Sequence, residues 1–326
     1  MADLRIGVLG AARITPSALI RPARRIDGVT VAAIAARDRA RATAAAARHG
    51  IAAVHDGYAA VLADPTLDAV YIPLPNGLHA QWTLAAIAAG KHVLCEKPFT
   101  SNAEQARTVA DAAAGSGLVV MEAFHYRYHP LMARVLSLLA DGTVGSIRRV
   151  ETELAFPLPR FSDIRYNLAL AGGALMDAGC YAVHSLRTLG GAEPEVVSAR
   201  ATMRSPGVDR AMVAHVRFPN GATGRVRCSM WSRHLLGVSA RVVGDEGELR
   251  IFNYIGPHVY HRLSVRTPAR RWHERVPGEP TYTHQLRAFR AAVRDGAPVL
   301  TGPEDSVANM TVIDSIYRAA GLEPRR

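Results

Sequence analysis

Lysine is nearly absent from this sequence, and the cysteine patterns of two common protein classes are missing as well. Of 39 basic residues only Lys91 and Lys97 are lysines, and Cys95, Cys180 and Cys228 lie far apart with no Cys-x-x-Cys spacing. This pattern predicts neither a disulfide framework nor a zinc site. We expect each cysteine to act as a small buried hydrophobe.

Long apolar runs are absent too. No window approaches the roughly 18 uninterrupted apolar residues of a membrane span, and Met1 to Leu4 leads at once into a predicted strand, which leaves no room for a signal peptide. With 326 residues and 49% hydrophobic composition, the chain can bury a large core. We therefore expect a soluble, cytoplasmic protein with no membrane partner.

The formal net charge of +11 is large, and a basic surface can attract nucleic acid or a phosphorylated small molecule. The arginines are nevertheless spread along the chain, and no nucleic-acid-binding motif accompanies them. We expect no nucleic-acid partner.

The hydrophobic pattern divides the chain into two predicted domains. Strands and helices alternate up to Glu122, which predicts a right-handed parallel sheet of the Rossmann type. Hairpin-linked strands between Ser146 and Asn253 then predict an α+β domain with a large open, mostly antiparallel sheet. We assign 1–124 to dinucleotide binding and 125–326 to substrate binding and oligomerisation, with a last helix that could pack back on the first domain.

The free face of that second sheet also predicts self-association. Pairing two such faces about a two-fold axis would cover both of them. The expected assembly is a homodimer or homotetramer formed through the sheet of the second domain.

Two turns in the first domain indicate a dinucleotide. Such a fold needs small residues after its first strand so that backbone amides can approach the pyrophosphate, but only Gly10 of three expected glycines is present, with Ala12 and Thr15 at the other places. After the second strand, an acidic residue would bind the ribose of NAD and arginine the 2′-phosphate of NADP. Arg37 therefore favours NADP(H) over NAD(H), although Asp38 could still turn towards the ribose.

Lys97 is predicted to lie at a strand end. His92 to Cys95 should be extended, and Pro98 prevents Lys97 from continuing as helix. Lysine is compact and its pKa shifts readily on burial, whereas guanidinium stays charged, so this position suits chemistry that arginine cannot perform. The alternative is a surface lysine in a turn.

Other candidate groups lie on predicted helices. If a helix begins at Gly173, Asp177 and Tyr181 share one face, with His184 one turn beyond. The alternative is a helix that packs through Tyr181, with Asp177 as a local hydrogen-bond acceptor. Asn76 precedes another helix and could simply cap it.

A metal site is not expected. His125 and His129 are four residues apart, but Pro130 follows directly and no acidic residue lies between the two histidines.

Three motifs together resemble one enzyme family. Glu96-Lys97-Pro98, preceded by Pro75-Asn76-x-x-His79 and followed by Gly-Gly-x-x-x-Asp-x-x-x-Tyr, is similar to the glucose-fructose oxidoreductase, inositol dehydrogenase and MocA family. Tyrosine in the last place is similar to the branch with dihydrodiol dehydrogenase, xylose dehydrogenases and sugar 3-ketoreductases. The resemblance implies NADP-dependent hydride transfer between nicotinamide and a carbinol or carbonyl carbon of a sugar, sugar nucleotide or cyclic polyol. The alternatives are an enzyme similar to trans-dihydrodiol dehydrogenase and a non-catalytic NADP-binding regulator.

The resemblance also implies site residues. Tyr181 would exchange the hydroxyl proton, Lys97 would lower its pKa, and Asp177 would orient a neighbouring hydroxyl. The residues expected to bind the cofactor are Gly10, Ala11, Ala12, Arg13, Ile14, Arg37, Leu74, Pro75, Asn76, His79, Glu96 and Lys97. Those expected to contact the substrate are Arg127, Arg165, Tyr166 and His184.

Overall fold

The chain forms two compact units in a computed structural model that describes residues 3–233 and 235–326. The first unit contains the residues up to Thr100 together with Glu104–Tyr128 and Pro280–Ser306. The second contains Ser101–Ala103, His129–Glu279 and Val307–Arg326. The division into folding domains 1–124 and 125–326 stays a prediction.

Helices and strands follow one another closely along both units. The strands are β1 (Leu4–Leu9), β2 (Val29–Ala35), β3 (Ala53–Val54), β4 (Ala69–Ile72), β5 (His92–Cys95), β6 (Val120–Glu122), β7 (Ile147–Ala155), β8 (Glu195–Ser205), β9 (Val208–Arg217), β10 (Thr223–Ser229), β11 (Gly237–Gly244), β12 (Glu248–Phe252), β13 (Arg262–Arg266) and β14 (Arg271–Glu274). The α-helices are α1 (Arg21–Ala23), α2 (Arg39–His49), α3 (Tyr58–Ala63), α4 (His79–Ala88), α5 (Ala103–Ala113), α6 (Pro130–Ala140), α7 (Cys180–Gly190), α8 (Thr281–Asp295) and α9 (Pro303–Ala319).

The first unit is a doubly wound parallel sheet. Its strand order is β3-β2-β1-β4-β5-β6, and every neighbouring pair is parallel. Strands covered on both faces need continuous apolar runs, and β1 and β4 are buried along almost their whole length. In this topology ligands bind beyond the carboxyl ends of the strands, which are the ends that Leu9, Ile72 and Cys95 occupy.

Close packing fixes the centre of that sheet. Leu286 and Phe289 of α8 belong to the same buried core as Ile6 of β1. Gly7 is needed beside them, because a Cβ there would lie 2.5 Å from Val61 Cγ1 of α3. Helix α3 can approach β1 this closely only because residue 7 has no side chain.

The second unit is an open, mostly antiparallel sheet. Its order is β14-β13-β12-β11-β7-β10-β9-β8, and the one parallel pair is β7 with β10. Thr152 of β7 donates to the carbonyl of Ala182 in α7 at 2.7 Å, so α7 covers one face. Glu151 and Glu153 alternate with Thr152 and therefore point to the other face. The expected fold class is confirmed.

The structure departs from the sequence-based expectations in local geometry. The helix expected from Gly173 begins as a π-helical turn over Leu175–Gly179 before α7, and the first helix is π-helical over Pro16–Ile20. Strands β13 and β14 were not expected at all. In a π-helical turn, residues four apart no longer stack as they do in an α-helix, so the shared face of Asp177 and Tyr181 is only approximate.

Three global expectations bear on function. All three cysteines are free and buried, which confirms that they act as small hydrophobes. Across residues 3–233 and 235–326, no helix combines the length and the apolar character needed to cross a bilayer. Over the same described residues, no group of three or more His, Cys, Asp or Glu side chains is arranged to hold a metal ion.

Candidate active site

The turn after β1 is shaped for a close backbone approach. Gly10 has φ of +115°, and a Cβ there would lie 3.0 Å from the side chain of Leu74, so glycine is required. Its amide donates to Ala35 of β2 at 2.7 Å, which ties the turn to the carboxyl edge of the sheet. Of the residues that follow, Ala11 and Ala12 are half-buried and Arg13 and Ile14 exposed. These amides can line a phosphate group.

The turn after β2 presents arginines and not a carboxylate. Asp38 is the N-cap of α2, where its Oδ1 accepts from the amides of Ala40 and Arg41 at 2.9 and 3.4 Å. The alternative that Asp38 reaches a ribose is therefore disfavoured. Arg37 is exposed. Burial raises the pKa of Tyr58, whereas the charges of Arg37 and Arg41 act to lower it, so both guanidinium groups lie near the Tyr58 hydroxyl.

Sequence analysis missed Arg41 because it lies inside a helix with other arginines. The structure singles it out, since Nη2 donates to the carbonyl of Ala11 at 3.2 Å. Arg41 therefore links α2 to the turn after β1, and it is the only arginine of α2 for which this contact exists among the described residues.

The loop after β4 is fixed by a buried histidine. His79 Nδ1 lies 2.7 Å from the carbonyl of Pro98 and Nε2 lies 2.8 Å from that of Leu74. Burial lowers the pKa of His79, the two carbonyls oppose this, and the charge of Lys97 adds to it. His79 therefore joins the loop after β4 to the loop after β5.

Asn76 is not the cap of α4. It begins a 3-10 turn over Asn76–Leu78, and the N-cap of α4 is Leu78. The capping alternative is wrong, and the amide of Asn76 stays a candidate for binding the cofactor.

Lys97 lies at the carboxyl end of β5, half-buried, before a cis Lys97–Pro98 peptide bond. The neighbouring Glu96 is buried, and its Oε1 accepts from the Tyr71 hydroxyl of β4 at 2.7 Å. Glu122 of β6 holds the segment beyond, because its Oε1 accepts from the amide of Phe99 at 2.8 Å. The position of Lys97 is thus set by neighbouring strands.

Tyr282 of α8 is a further group that sequence analysis missed. Burial, and then the charge of Glu96, raises the pKa of its hydroxyl, which places Tyr282 near that carboxylate. Its ring centroid lies 4.1 Å from that of His125. Arg127 follows in the same 3-10 turn as His125 and is half-buried. The chain supplied no signal for Tyr282, because α8 lies far from the motifs in sequence.

The second unit assembles its own set of polar residues. Arg165 Nε lies 3.0 Å from Asp177 Oδ2, and Arg165 Nη1 lies 3.1 Å from Asp163 Oδ1. The Asp177 carboxylate raises the pKa of Arg165, so the guanidinium stays charged. Asp177 is 8% exposed and Tyr181 is 6% exposed. A carboxylate fixed by arginine and a buried phenol thus lie within one turn of chain.

The remaining predicted substrate residues of this unit have distinct surroundings. Tyr166 is buried, and its hydroxyl donates a hydrogen bond to the Leu158 carbonyl at 3.0 Å. His184 is 1% exposed and lies within α7. The Phe161 ring lies 5.6 Å from that of Tyr166 and 6.2 Å from that of Trp231. Tyr166 therefore belongs to an aromatic cluster.

The structure therefore sorts the predicted site residues into two sets. The carboxyl edge of the parallel sheet carries the cofactor set, and the start of α7 with the preceding loop carries Asp177, Tyr181, Arg165 and Tyr166.

Comparisons with known proteins identify the family. Residues 4–124 match the GFO/IDH/MocA oxidoreductase family with its NAD-binding Rossmann fold, and residues 132–250 match the GFO/IDH/MocA C-terminal domain. The chain is 40% identical over 321 residues to D-xylose 1-dehydrogenase (NADP(+)) 2 of Haloferax volcanii, with 97% of each chain covered. It is 34% identical over 329 residues to dTDP-3,4-didehydro-2,6-dideoxy-alpha-D-glucose 3-reductase of Streptomyces antibioticus, again with 97% of each covered.

A solved structure agrees with these relatives. A 3-ketoreductase from Actinomadura kijaniata, in complex with NADP and TDP-benzene, superimposes with a TM-score of 0.90 at 30% identity, covering 97% of this chain and 98% of that one. The chain belongs to the GFO/IDH/MocA oxidoreductase family and is an oxidoreductase, as its motifs predicted.

Proposed function

We propose that this enzyme transfers a hydride between NADP(H) and a CH–OH or carbonyl carbon of a sugar or sugar nucleotide. One observation carries the proposal: Arg165 holds the Asp177 carboxylate at 3.0 Å, four residues before the buried phenol of Tyr181. A carboxylate and a phenol suit a substrate with adjacent hydroxyl and carbonyl groups. The relatives support the same chemistry, since they act on D-xylose and on a dTDP-linked keto-sugar.

The first unit fits a dinucleotide, with NADP preferred over NAD. Gly10 leaves room where a side chain would contact Leu74, and Arg37 and Arg41 supply positive charge where a 2′-phosphate would lie. Asp38, which would favour a free ribose, is engaged as a helix cap. When bound, the nicotinamide supplies the hydride chemistry, and the protein supplies binding and orientation.

The remaining steps fall to side chains of this chain. A free tyrosine has a pKa of about 10, too high for a base at neutral pH, but a lysine cation within about 4 to 6 Å favours the phenolate. We assign proton exchange to Tyr181 and stabilisation of its phenolate, with a hydrogen bond to the substrate oxygen, to Lys97. Asp177 orients a neighbouring hydroxyl, and Arg165 holds the Asp177 carboxylate in place.

Arg127, Tyr166 and His184 remain candidates for the other contacts to the substrate, with Arg165 as a further anchor beside its role at Asp177.

A substrate panel tests the proposed function. We expect NADPH oxidation with at least one keto-sugar or dTDP-linked keto-sugar, or NADP+ reduction with an aldose such as D-xylose, at kcat/KM of about 10⁴ M⁻¹ s⁻¹ or more. NADH should support lower turnover than NADPH with the same substrate. Tight NADPH binding without turnover on any sugar would instead identify a non-catalytic regulator.

A second substrate class is favoured by the aromatic cluster. Phe161 is 40% exposed beside Tyr166 and Trp231, and the Arg204 guanidinium lies 4.4 Å from its ring centroid. Such a surface also suits the flat, apolar ring of a trans-dihydrodiol. Adding a trans-dihydrodiol to the panel separates the two substrate classes. The class that the enzyme uses, sugars or trans-dihydrodiols, should show the higher kcat/KM.

A cytoplasmic location stays a prediction.

The proposal also includes self-association through the sheet of the second unit. The sheet face opposite α7 carries a groove of about 570 Å³ lined mainly by arginine and glutamate. Glu151 lies 3.2 Å from Arg225 and 3.3 Å from Arg241, so this face carries both signs of charge, as a self-complementary surface requires.

A charge reversal tests the dimer. Glu151→Arg leaves Arg225 and Arg241 without their shared carboxylate, so we expect the dimer dissociation constant to rise by about 100-fold in sedimentation velocity. Asp111→Arg makes the same charge change on an exposed position of α5 and should leave the dimer intact. A monomeric wild-type enzyme would contradict this assembly.

A further inference from the structure

A buried arginine holds the segment that leads to the candidate catalytic helix. Arg325 follows α9, and its side chain is 2% exposed. Its Nη2 donates to Asp209 Oδ1 at 2.7 Å and its Nε donates to the carbonyl of Gly172 at 2.9 Å, while the guanidinium lies 4.1 Å from the Tyr317 ring centroid. Its own carbonyl accepts from Asn102 Nδ2 at 2.7 Å. One residue thus joins four separate segments of the second unit.

Asp209 completes this arrangement. It is fully buried, and Oδ1 accepts from the Tyr317 hydroxyl at 3.0 Å in addition to Arg325. Oδ2 accepts from the amide of Leu175 at 2.7 Å, which is the first residue of the π-helical turn. Burying an ion pair is a poor way to gain stability, because desolvation offsets much of the attraction. A geometric role explains the pair better.

The glycine pair of the family motif lies directly on these charges. Gly173 has φ of +140°, and a Cβ there would lie 2.2 Å from Asp209 Oδ1. A Cβ on Gly172 would lie 2.6 Å from the carbonyl oxygen of Arg165. Both positions exclude a side chain, since the loop is pressed between the Asp209 carboxylate and the backbone near Arg165.

The same loop connects the two members of the candidate site. The Gly173 amide donates to the Arg165 carbonyl at 2.8 Å, and the Asp177 amide donates to the Gly173 carbonyl at 3.0 Å. The loop between Arg165 and Asp177 is therefore held at its two ends by their ion pair and in its middle by the hydrogen bonds of Arg325 and Asp209.

We propose that Arg325 and Asp209 are positioning residues for the reaction, which set the place of Asp177 and, through the helix that follows, of Tyr181. This inference rests on the proposed function of those two groups. Neither positioning residue touches the substrate, so their effect on turnover passes through the loop at Gly172 and Gly173.

Arg325→Gln tests the proposal with kinetic and structural readouts. We expect kcat to fall by about 10- to 100-fold, because small displacements of reacting groups cost that much. The dissociation constant for NADPH should change by less than about twofold, since Arg325 lies in the second unit. Hydrogen exchange in peptides covering residues 165–180 should accelerate by about tenfold over wild type. The exchange readout does not depend on finding a substrate.

Arg187→Gln is the matched control. Arg187 is also a buried arginine of the second unit, paired with both Glu193 oxygens at 2.7 Å, but it lies towards the other end of α7. It should lower thermal stability while kcat stays within about twofold of wild type. Millimolar guanidinium should partly restore kcat to Arg325→Ala, and an equal concentration of urea should not.

Several results would overturn the inference. They are a kcat for Arg325→Gln near that of wild type, unchanged exchange over residues 165–180, or an equal loss of kcat in Arg187→Gln. If Arg325→Gln fails to fold, Tyr317→Phe removes one hydrogen bond of Asp209 and should give the same exchange pattern at smaller amplitude. Absent turnover in the wild type would contradict the proposed function, whereas normal exchange in the variant would contradict only the positioning role.

Discussion

Tyr181→Phe is expected to lower kcat by about 10²- to 10⁴-fold, the usual contribution of a positioned acid or base. The substitution removes only the hydroxyl, and the ring of this 6% exposed residue can keep its packing. NADPH affinity, measured by fluorescence titration, should stay within about twofold of wild type, because the loss affects the transition state and not the bound cofactor. Near-normal turnover would contradict the role of Tyr181.

Lys97→Met should lower kcat similarly, and the other lysine of the chain provides its control. Lys91 is 7% exposed, and its Nζ donates to the carbonyls of Asp64 and Leu67 at 2.7 and 2.8 Å. Lys91→Met leaves two carbonyls unpaired and should lower the free energy of unfolding in urea by about 2 kcal/mol. Its kcat should be normal in the folded enzyme, the opposite of the result for Lys97→Met.

If both lysine variants lose stability and retain turnover, Lys97 has a structural role like that of Lys91. The two substitutions remove the same ammonium and keep the same stem, so any difference between them comes from location. Lys91 lies at the start of β5 and Lys97 just beyond its end.

The parallel sheet could be predicted closely from the sequence. Its strands are mostly short apolar runs, and β5 lies at His92–Cys95 as expected between Gly90 and Pro98. The pattern fails for β13, which has an arginine at each end, and for β14, in which only Trp272 of four residues is apolar. In β13 only Leu263 and Val265 are buried, and their alternation with exposed arginines is too short to predict a strand.

The candidate site was less predictable, because its geometry depends on distant partners. Local propensity does not distinguish an α-helical from a π-helical turn, and the turn at Leu175 is fixed by Asp209, 34 residues away. Arg325 is 116 residues from Asp209, and no local pattern marks either residue as part of a site. Lys97, Asp177 and Tyr181 could be proposed only because three motifs occur together.

The preference for NADPH over NADH is expected to depend on Arg37. Arg37→Met is expected to raise the KM for NADPH by about 10- to 100-fold, since a charged hydrogen bond to phosphate contributes about 1.5 to 3 kcal/mol. The KM for NADH should be unchanged, because NAD carries no 2′-phosphate. Steady-state kinetics with both cofactors at one salt concentration measure the ratio. Parallel losses with NADPH and NADH would contradict the assignment.

Arg39 and Arg41 provide comparison variants for Arg37→Met, since they lie within four residues of Arg37. Arg39 pairs with Asp56, and both side chains are mostly exposed, so Arg39→Met should leave both KM values within about twofold. Arg41 also donates to the carbonyl of Ala11 in the turn after β1. Arg41→Met should therefore raise the KM for NADPH strongly and the KM for NADH slightly, because the turn after β1 would contact both cofactors. A larger effect at Arg39 than at Arg37 would place the 2′-phosphate elsewhere.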